Sequence, residues 1–311
     1  MTDVRFSRAP RSLTVIAALL VPLCFLCDSA VSGEAGRSTP HRWLDVDGRP
    51  LPFQETETIL NALRRGEVVR REPIGRGVAG AEKLVLEYGG ARFHAAFRTI
   101  DRREEDTSSR AYGRPGKSYL KDNAFFENAA FELSELLGMH RVPPVVERQL
   151  PTGRGSLQIW MEETAPEVVL KEQGRLEPPD VPRWHRQKQI MILLDNLVAN
   201  RDRNQGNVLV DESWDLWFID HTRAFGTSSR LLYSDRLASC ERGIWARLKN
   251  LDGGLVRERL EPYLTSKEIA RVLTRLKKIV RHLDRLIKKR GEEVVLFDMP
   301  PPAALSDEPG S

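Results

Sequence analysis

The 311-residue sequence offers little for a disulfide or a zinc centre and shows no internal repeat. Of its three cysteines, Cys24 and Cys27 lie in an N-terminal apolar run, which leaves Cys240 without an intramolecular partner once that run is set aside. The six histidines, His41, His94, His140, His185, His221 and His282, are scattered without the close spacings that zinc sites use. Any metal would therefore be a hard cation held by oxygen ligands.

A long uncharged apolar stretch occurs near the N-terminus, from Leu13 to Cys27, after Arg5, Arg8 and Arg11. This pattern predicts a signal peptide or uncleaved signal anchor over residues 1–33. The body would then be exported across the membrane, into a periplasm, an extracellular space or a secretory lumen.

A general basic surplus is missing as well. The formal charge is +4, but residues 267–290 hold ten Lys/Arg against two acids, so the rest is net negative by about four. No nucleic-acid partner is expected from that distribution. Apolar residues recur in the basic stretch at Ile269, Val272, Leu276, Ile279, Leu283 and Leu286, predicting a helix capped by Ser266 and ended by Gly291. Its basic side is either a solvated face or a contact for an anionic surface or acidic substrate.

What remains has the length of one two-lobed domain. The expected layout is a linker over 34–42, a strand-rich lobe over 43–162, a helical lobe over 163–297 and a disordered tail over 298–311. Leu84, Leu86 and Tyr88 alternate, as do Phe93, Ala95 and Phe97 after the Gly89-Gly90 turn, so a three-strand antiparallel meander begins near Val68. A helix is predicted from Asp122 to Leu137, closed by Gly138. A strand follows over Leu157–Met161, and Asp180 with Pro182 opens another helix. Strands first and helices later make the fold class α+β.

The chemistry concentrates in Asn200-Arg-Asp-Arg-Asn-Gln-Gly-Asn207, two short apolar runs joined by a polar turn, and Asp220. The hairpin brings Asp202 and Asn207 toward Asp220. Phosphoryl transfer needs such a set: a carboxylate for the attacking hydroxyl, and an amide and a carboxylate to hold magnesium on phosphates. The five-residue spacing of Asp202 and Asn207 matches the kinase catalytic loop. Asx turns on a surface loop are the plain alternative. Upstream, Gly75, Gly77 and Gly80 form a G-x-G-x-x-G between two strands, suited either to covering phosphates or to a flexible hairpin turn.

Together with Glu127-Asn-Ala-Ala-Phe131, His140-Arg-Val-Pro-Pro-Val145, Asp195-Asn-Leu-Val-Ala-Asn200-Arg-Asp202 and Arg223-Ala-Phe-Gly226, these residues resemble the atypical kinase superfamily. That group includes secretory-pathway (Golgi casein) kinases, HipA-type kinases and phosphoinositide 3/4-kinases. The resemblance implies a two-lobed atypical protein-kinase-like fold that uses ATP with Mg2+ or Mn2+ and acts on a protein or other hydroxyl-bearing substrate. By the same resemblance Asp202 is the catalytic acid/base, and Asn207 and Asp220 are metal ligands. Glu127 pairs with a phosphate-binding cation, and residues 158–162 form the hinge for adenine. Two positions depart from it: Arg98 stands where a lysine is usual, with Lys83 on the preceding strand, and Asn204 stands where histidine is frequent. An ATP-dependent phosphotransferase and a catalytically weak or inactive pseudokinase that still binds nucleotide are thus both open.

Overall fold

The computed structural model describes residues 41–73, 81–102 and 122–299. The predicted signal segment, Gly75, Gly77 and Gly80, and the tail from 300 lie outside the described residues.

Ile59, Leu60 and Leu63 line one face of α1 (Thr56–Arg65), a helix the sequence reading did not anticipate. The expected meander follows as β1 (Glu67–Pro73), β2 (Ala81–Tyr88) and β3 (Ala91–Arg98). In the register, Leu84 faces Ala95 and Leu86 faces Phe93. With Phe97 these residues are fully buried on one face of the sheet. Lys83 faces Ala96, and Ala96 faces Gln158, on the other.

The two-residue strands β4 (Asp101–Arg102) and β5 (Asp122–Asn123) pair with each other ahead of α2 (Phe125–Leu136). The helix therefore starts later than its apolar periodicity suggests. Asp122 and Asn123 are spent on the pairing with β4, and Asn123 Oδ1 accepts the Phe125 N–H at 2.8 Å in an Asx turn that leads into the helix. Gly138, at φ +65°, ends it as expected.

Next come β6 (Val145–Leu150) and β7 (Gly153–Ile159), which complete a five-stranded sheet in the order β1-β2-β3-β7-β6. Both pack against α1 and α2. The strand expected over Leu157–Met161 starts earlier and ends at Ile159, so Gly153 and Gly155 belong to it. A Cβ on Gly155 would stand 2.1 Å from the Arg98 carbonyl oxygen, so only glycine lets β7 approach β3 there.

The second half is mainly helical. After β8 (Ala165–Pro166) and α3 (Glu167–Glu172), α4 (Val181–Val198) opens as predicted, with Asp180 accepting the Arg183 N–H at 2.8 Å. The expected hairpin is β9 (Val208–Val210) and β10 (Leu216–Phe218), joined by β8 as a third strand. β11 (Cys240–Glu241), α5 (Arg242–Asn250), α6 (Gly253–Leu260), α7 (Ser266–Arg290), α8 (Glu292–Val295) and β12 (Leu296–Phe297) follow.

Long α7 packs its apolar stripe on α4, α5 and α6. Its N-cap is Thr265 rather than Ser266, because Glu268 sits three residues on and closes a capping box with it.

One hydrophobic core runs through sheet and helices. The architecture is α+β and two-lobed, as the sequence pattern indicated. His41, placed in the linker by that pattern, is buried instead, bonded to Asp211 at 3.3 Å and edge-on to Trp43 and Trp217. Among the described residues no helix is long and apolar enough to cross a membrane.

Candidate functional site

Ala199 ends α4 in the left-handed region, at φ 53°, and turns the chain into the loop that carries Asp202 and Asn207. Asx turns do shape this loop: Asn200 Oδ1 accepts the Asp202 N–H at 3.0 Å, and Asn204 Oδ1 accepts the Gly206 N–H at 2.8 Å. A surface turn would need no more than that. Here the loop is also clamped from below by a buried guanidinium.

Arg203, with its side chain 6% exposed, donates Nε to Asp195 at 3.2 Å. Its Nη1 donates to the Asn207 carbonyl at 2.5 Å and the Ile219 carbonyl at 2.8 Å, and its Nη2 to His221 Nε2 at 2.9 Å. The Ile219 N–H also donates to the Asn207 carbonyl, at 3.2 Å. One side chain thus holds the Asp202–Asn207 loop against the segment that bears Asp220. Charge-assisted bonds of this kind are the strong ones, and a charge so buried requires them.

The network continues to α2. An arginine cannot accept, so His221 Nε2 must, and its Nδ1–H donates to Glu127 Oε2 at 3.0 Å. Glu127 Oε1 accepts the His221 backbone N–H at 2.8 Å. Burial alone would raise the Glu127 carboxyl. The hydrogen bonds and attraction from His221, followed by attraction from Arg98, outweigh it and hold the group below its ordinary range. In this structure both Glu127 oxygens are taken by His221, and the Arg98 cation expected to pair with it attracts the carboxylate through space.

Arg98 ends β3 with Nη1 buried and without a hydrogen-bond partner among the described residues. Lys83 does not replace it. Its Nζ lies 4.4 Å from the Trp160 ring centroid and 4.0 Å from Glu162, in the expected hinge, where His94 also meets Glu162 at 2.5 Å. Gln158, at the start of that hinge, is buried with its amide on the Pro143 carbonyl at 3.3 Å.

Asp202 is partly exposed, and its Oδ2 accepts from Arg223 Nη1 at 3.0 Å, while Arg223 Nε approaches Asp122 at 3.6 Å. Asn207 spends its NH2 on the Asp202 carbonyl at 3.1 Å, which leaves its amide oxygen as the acceptor for a ligand. Asp220 sits at φ 58°, a conformation unusual for a residue with a side chain, and Thr222 Oγ1 donates to its Oδ1 at 3.0 Å. Among the described residues no group of three or more His, Cys, Asp or Glu is arranged to hold a metal by itself. An oxygen pair such as Asn207 and Asp220 suits Mg2+ or Mn2+ only when phosphate oxygens complete the shell.

Sequence reasoning singled out Asp202, Asn207 and Asp220 as candidates and did not single out Asp195, Arg203 and His221, which tie their segments together. A signal was available: Asp195 interrupts the apolar run Leu193 to Val198, and a carboxylate buried there, 2% exposed, demands a cation.

No known family profile matches the chain, and no curated protein matches it. Solved structures do. A hydra Fam20 determined with sugar superposes with a TM-score of 0.58 at 17% identity, over 80% of this chain and 94% of that one. The Golgi casein kinase superposes with a TM-score of 0.55 at 17% identity, over 79% and 80%, and its structure with Mn and ADP bound gives the same values. At that identity the likeness speaks for the fold, and the chain has a Fam20-like atypical kinase fold.

Proposed function

We propose that the chain is a phosphotransferase that moves the γ-phosphoryl group of ATP to a hydroxyl of a protein or another substrate. The observation that carries this is the Arg203 clamp, which holds Asp202 and Asn207 beside the segment bearing Asp220. Such positioning is most of what phosphoryl transfer asks of a protein. The neighbour solved with Mn and ADP supports a nucleotide with a metal.

On this reading residues 43–162 form the lobe over the nucleotide and 163–297 the lobe beneath it. Gly75, Gly77 and Gly80 cover the phosphates, and the buried, unpartnered Nη1 of Arg98 takes a phosphate oxygen. Asn207 and Asp220 hold Mg2+ or Mn2+, which when bound neutralises phosphate charge. Arg223 fixes one oxygen of Asp202, and the other receives the proton of the attacking hydroxyl. The hydroxyl oxygen bonds to the γ-phosphorus as the bond to the β–γ bridging oxygen breaks, and ADP leaves. Residues 1–33 direct the protein across a membrane, a reading that sequencing the mature N-terminus tests.

The test uses purified full-length chain, γ-labelled ATP, Mn2+ or Mg2+, and dephosphorylated casein as a generic hydroxyl acceptor. Label should enter casein or the chain itself and vanish in Asp202→Ala, whose Mn–ADP thermal shift persists. A Mn–ADP shift without any turnover would make the chain a nucleotide-binding regulatory module. Absence of the shift would sink both readings.

A further inference from the structure

Helix α7 has a second face that the core does not use. Its apolar residues Ile269, Val272, Ile279 and Leu283 are buried. On another side Lys278, Arg281, Arg285 and Lys288 recur at intervals of three and four, so successive neighbours are like charges that repel. Arg281, Arg285 and Lys288 form no ion pair with a described carboxylate. A face selected only for solubility would interleave acids and bases evenly, whereas Asp284 is the single acid among these four cations.

The segment after the Asp220 strand end is built onto this face. Arg275 Nη1 donates to the Gly226 carbonyl at 3.3 Å and the Ser228 carbonyl at 2.6 Å, and Lys278 Nζ to the Ser229 carbonyl at 2.8 Å. Further on, His282 Nε2 donates to the Leu237 carbonyl at 2.8 Å. Between these anchors Arg230 and Ser234 line, together with the helix, an open groove of about 730 Å³. Its walls carry five Lys/Arg and a single carboxylate, Asp284.

The volume falls within the range of small-ligand sites. Guanidinium forks suit phosphate oxygens, and five cations gathered along one open groove suit an anion compact enough to meet several of them at once. The apolar stripe of α7 is already buried, so nothing on this face can insert into a bilayer. We propose that this groove is a binding site for a compact polyanion carrying two or more phosphate groups, separate from the nucleotide site at Asp202, Asn207 and Asp220. The phosphates could belong to a free inositol polyphosphate or to a phosphoinositide headgroup, the same chemistry from two sources.

Calorimetry on the full chain with tripolyphosphate and with myo-inositol hexakisphosphate tests it. Arg281 and Arg285 are exposed, so the double variant Arg281→Gln, Arg285→Gln should fold. The expected result is saturable binding that weakens roughly tenfold or more in the double variant while the Mn–ADP thermal shift is unchanged. Cosedimentation with phosphatidylcholine vesicles, with or without phosphatidylinositol bisphosphate, assigns the source: loss with the double variant points to a headgroup, whereas binding of soluble anion alone points to a free ligand. The proposal is overturned if neither anion nor vesicle binds, if the double variant binds unchanged, or if Arg98→Ala alone abolishes binding. The last outcome would place the anion in the nucleotide site. Failure of the proposed phosphotransfer leaves the groove's result intact, because the two experiments read different residues.

Discussion

Glu127 on α2 and His221, ninety-four positions later, meet through two hydrogen bonds of 2.8 and 3.0 Å in a fully buried pocket. Because His221 follows Asp220, the helix dictates where the proposed metal ligand stands. Phe126, the residue before Glu127 on α2, lies 5.3 Å from Phe225 between ring centroids and repeats the attachment by packing.

Replacing Glu127 by Gln keeps the shape and reverses a donor. The new NH2 would face His221 Nδ1–H, and turning the tautomer would set Nε2–H against Arg203. Either way a buried donor loses its partner, so Glu127→Gln should destabilise the chain by about 2–4 kcal/mol in urea unfolding.

The same carboxylate gives a pH signature. Its folded pKa lies below the ordinary value of 4.5, so its contribution is complete above that value and is lost as pH falls through the lower folded one. The stability gap between wild type and Glu127→Gln should therefore be widest near neutral pH and shrink below about pH 4. Urea midpoints of both proteins at the two pH values measure it, and a gap that widened in acid would contradict the assigned direction.

Much of this was legible where local pattern decides the outcome. Alternation set the meander, spacing singled out Asp202 and Asn207, and Asp180 with Pro182 marked a helix start. What stayed hidden depends on contacts between distant segments. Arg203 sits in a run of polar residues and looks solvated until Asp195 and His221 close on it. Lys83 could stand in for Arg98 by sequence, and only the register, in which Lys83 faces Ala96, sends it toward Trp160 instead. The cap of α7 was missed for a different reason: Thr265 and Glu268 spell a local capping box, three residues apart, that the choice of Ser266 overlooked.

Gly155 offers a test of the seam beside Arg98. An added methyl would meet the Arg98 carbonyl oxygen at 2.1 Å and its carbon at 2.9 Å, and backbone cannot step aside cheaply. Gly155→Ala should cost about 2 kcal/mol or more through overpacking and a broken ladder. It should also weaken the proposed Mn–ADP shift, since Arg98 moves with β3.

Arg203→Lys keeps the charge and loses the fork. An ammonium cannot reach Asp195, two carbonyls and His221 from one nitrogen, so buried acceptors are stranded. A loss of about 3–5 kcal/mol is expected. Hydrogen exchange should locate it, with the Ile219 and His221 amides losing protection before those of β2 and β3.

Asp220→Asn separates geometry from charge. Asparagine tolerates the left-handed backbone at φ 58° nearly as well as aspartate, and its side-chain oxygen can still accept from Thr222 Oγ1. Folding stability should therefore change by less than about 1 kcal/mol. The carboxylate charge, by contrast, is gone, and a metal left with two neutral amides has lost its one anionic protein ligand. The metal-dependent part of the ADP thermal shift should fall to near zero, while any metal-independent part, which would rest on Arg98 and the hinge, remains. A shift that survives undiminished with Mn2+ would remove Asp220 from the metal and leave its unusual backbone without a ligand to explain it. A variant that loses stability as well would instead assign Asp220 a structural duty through Thr222.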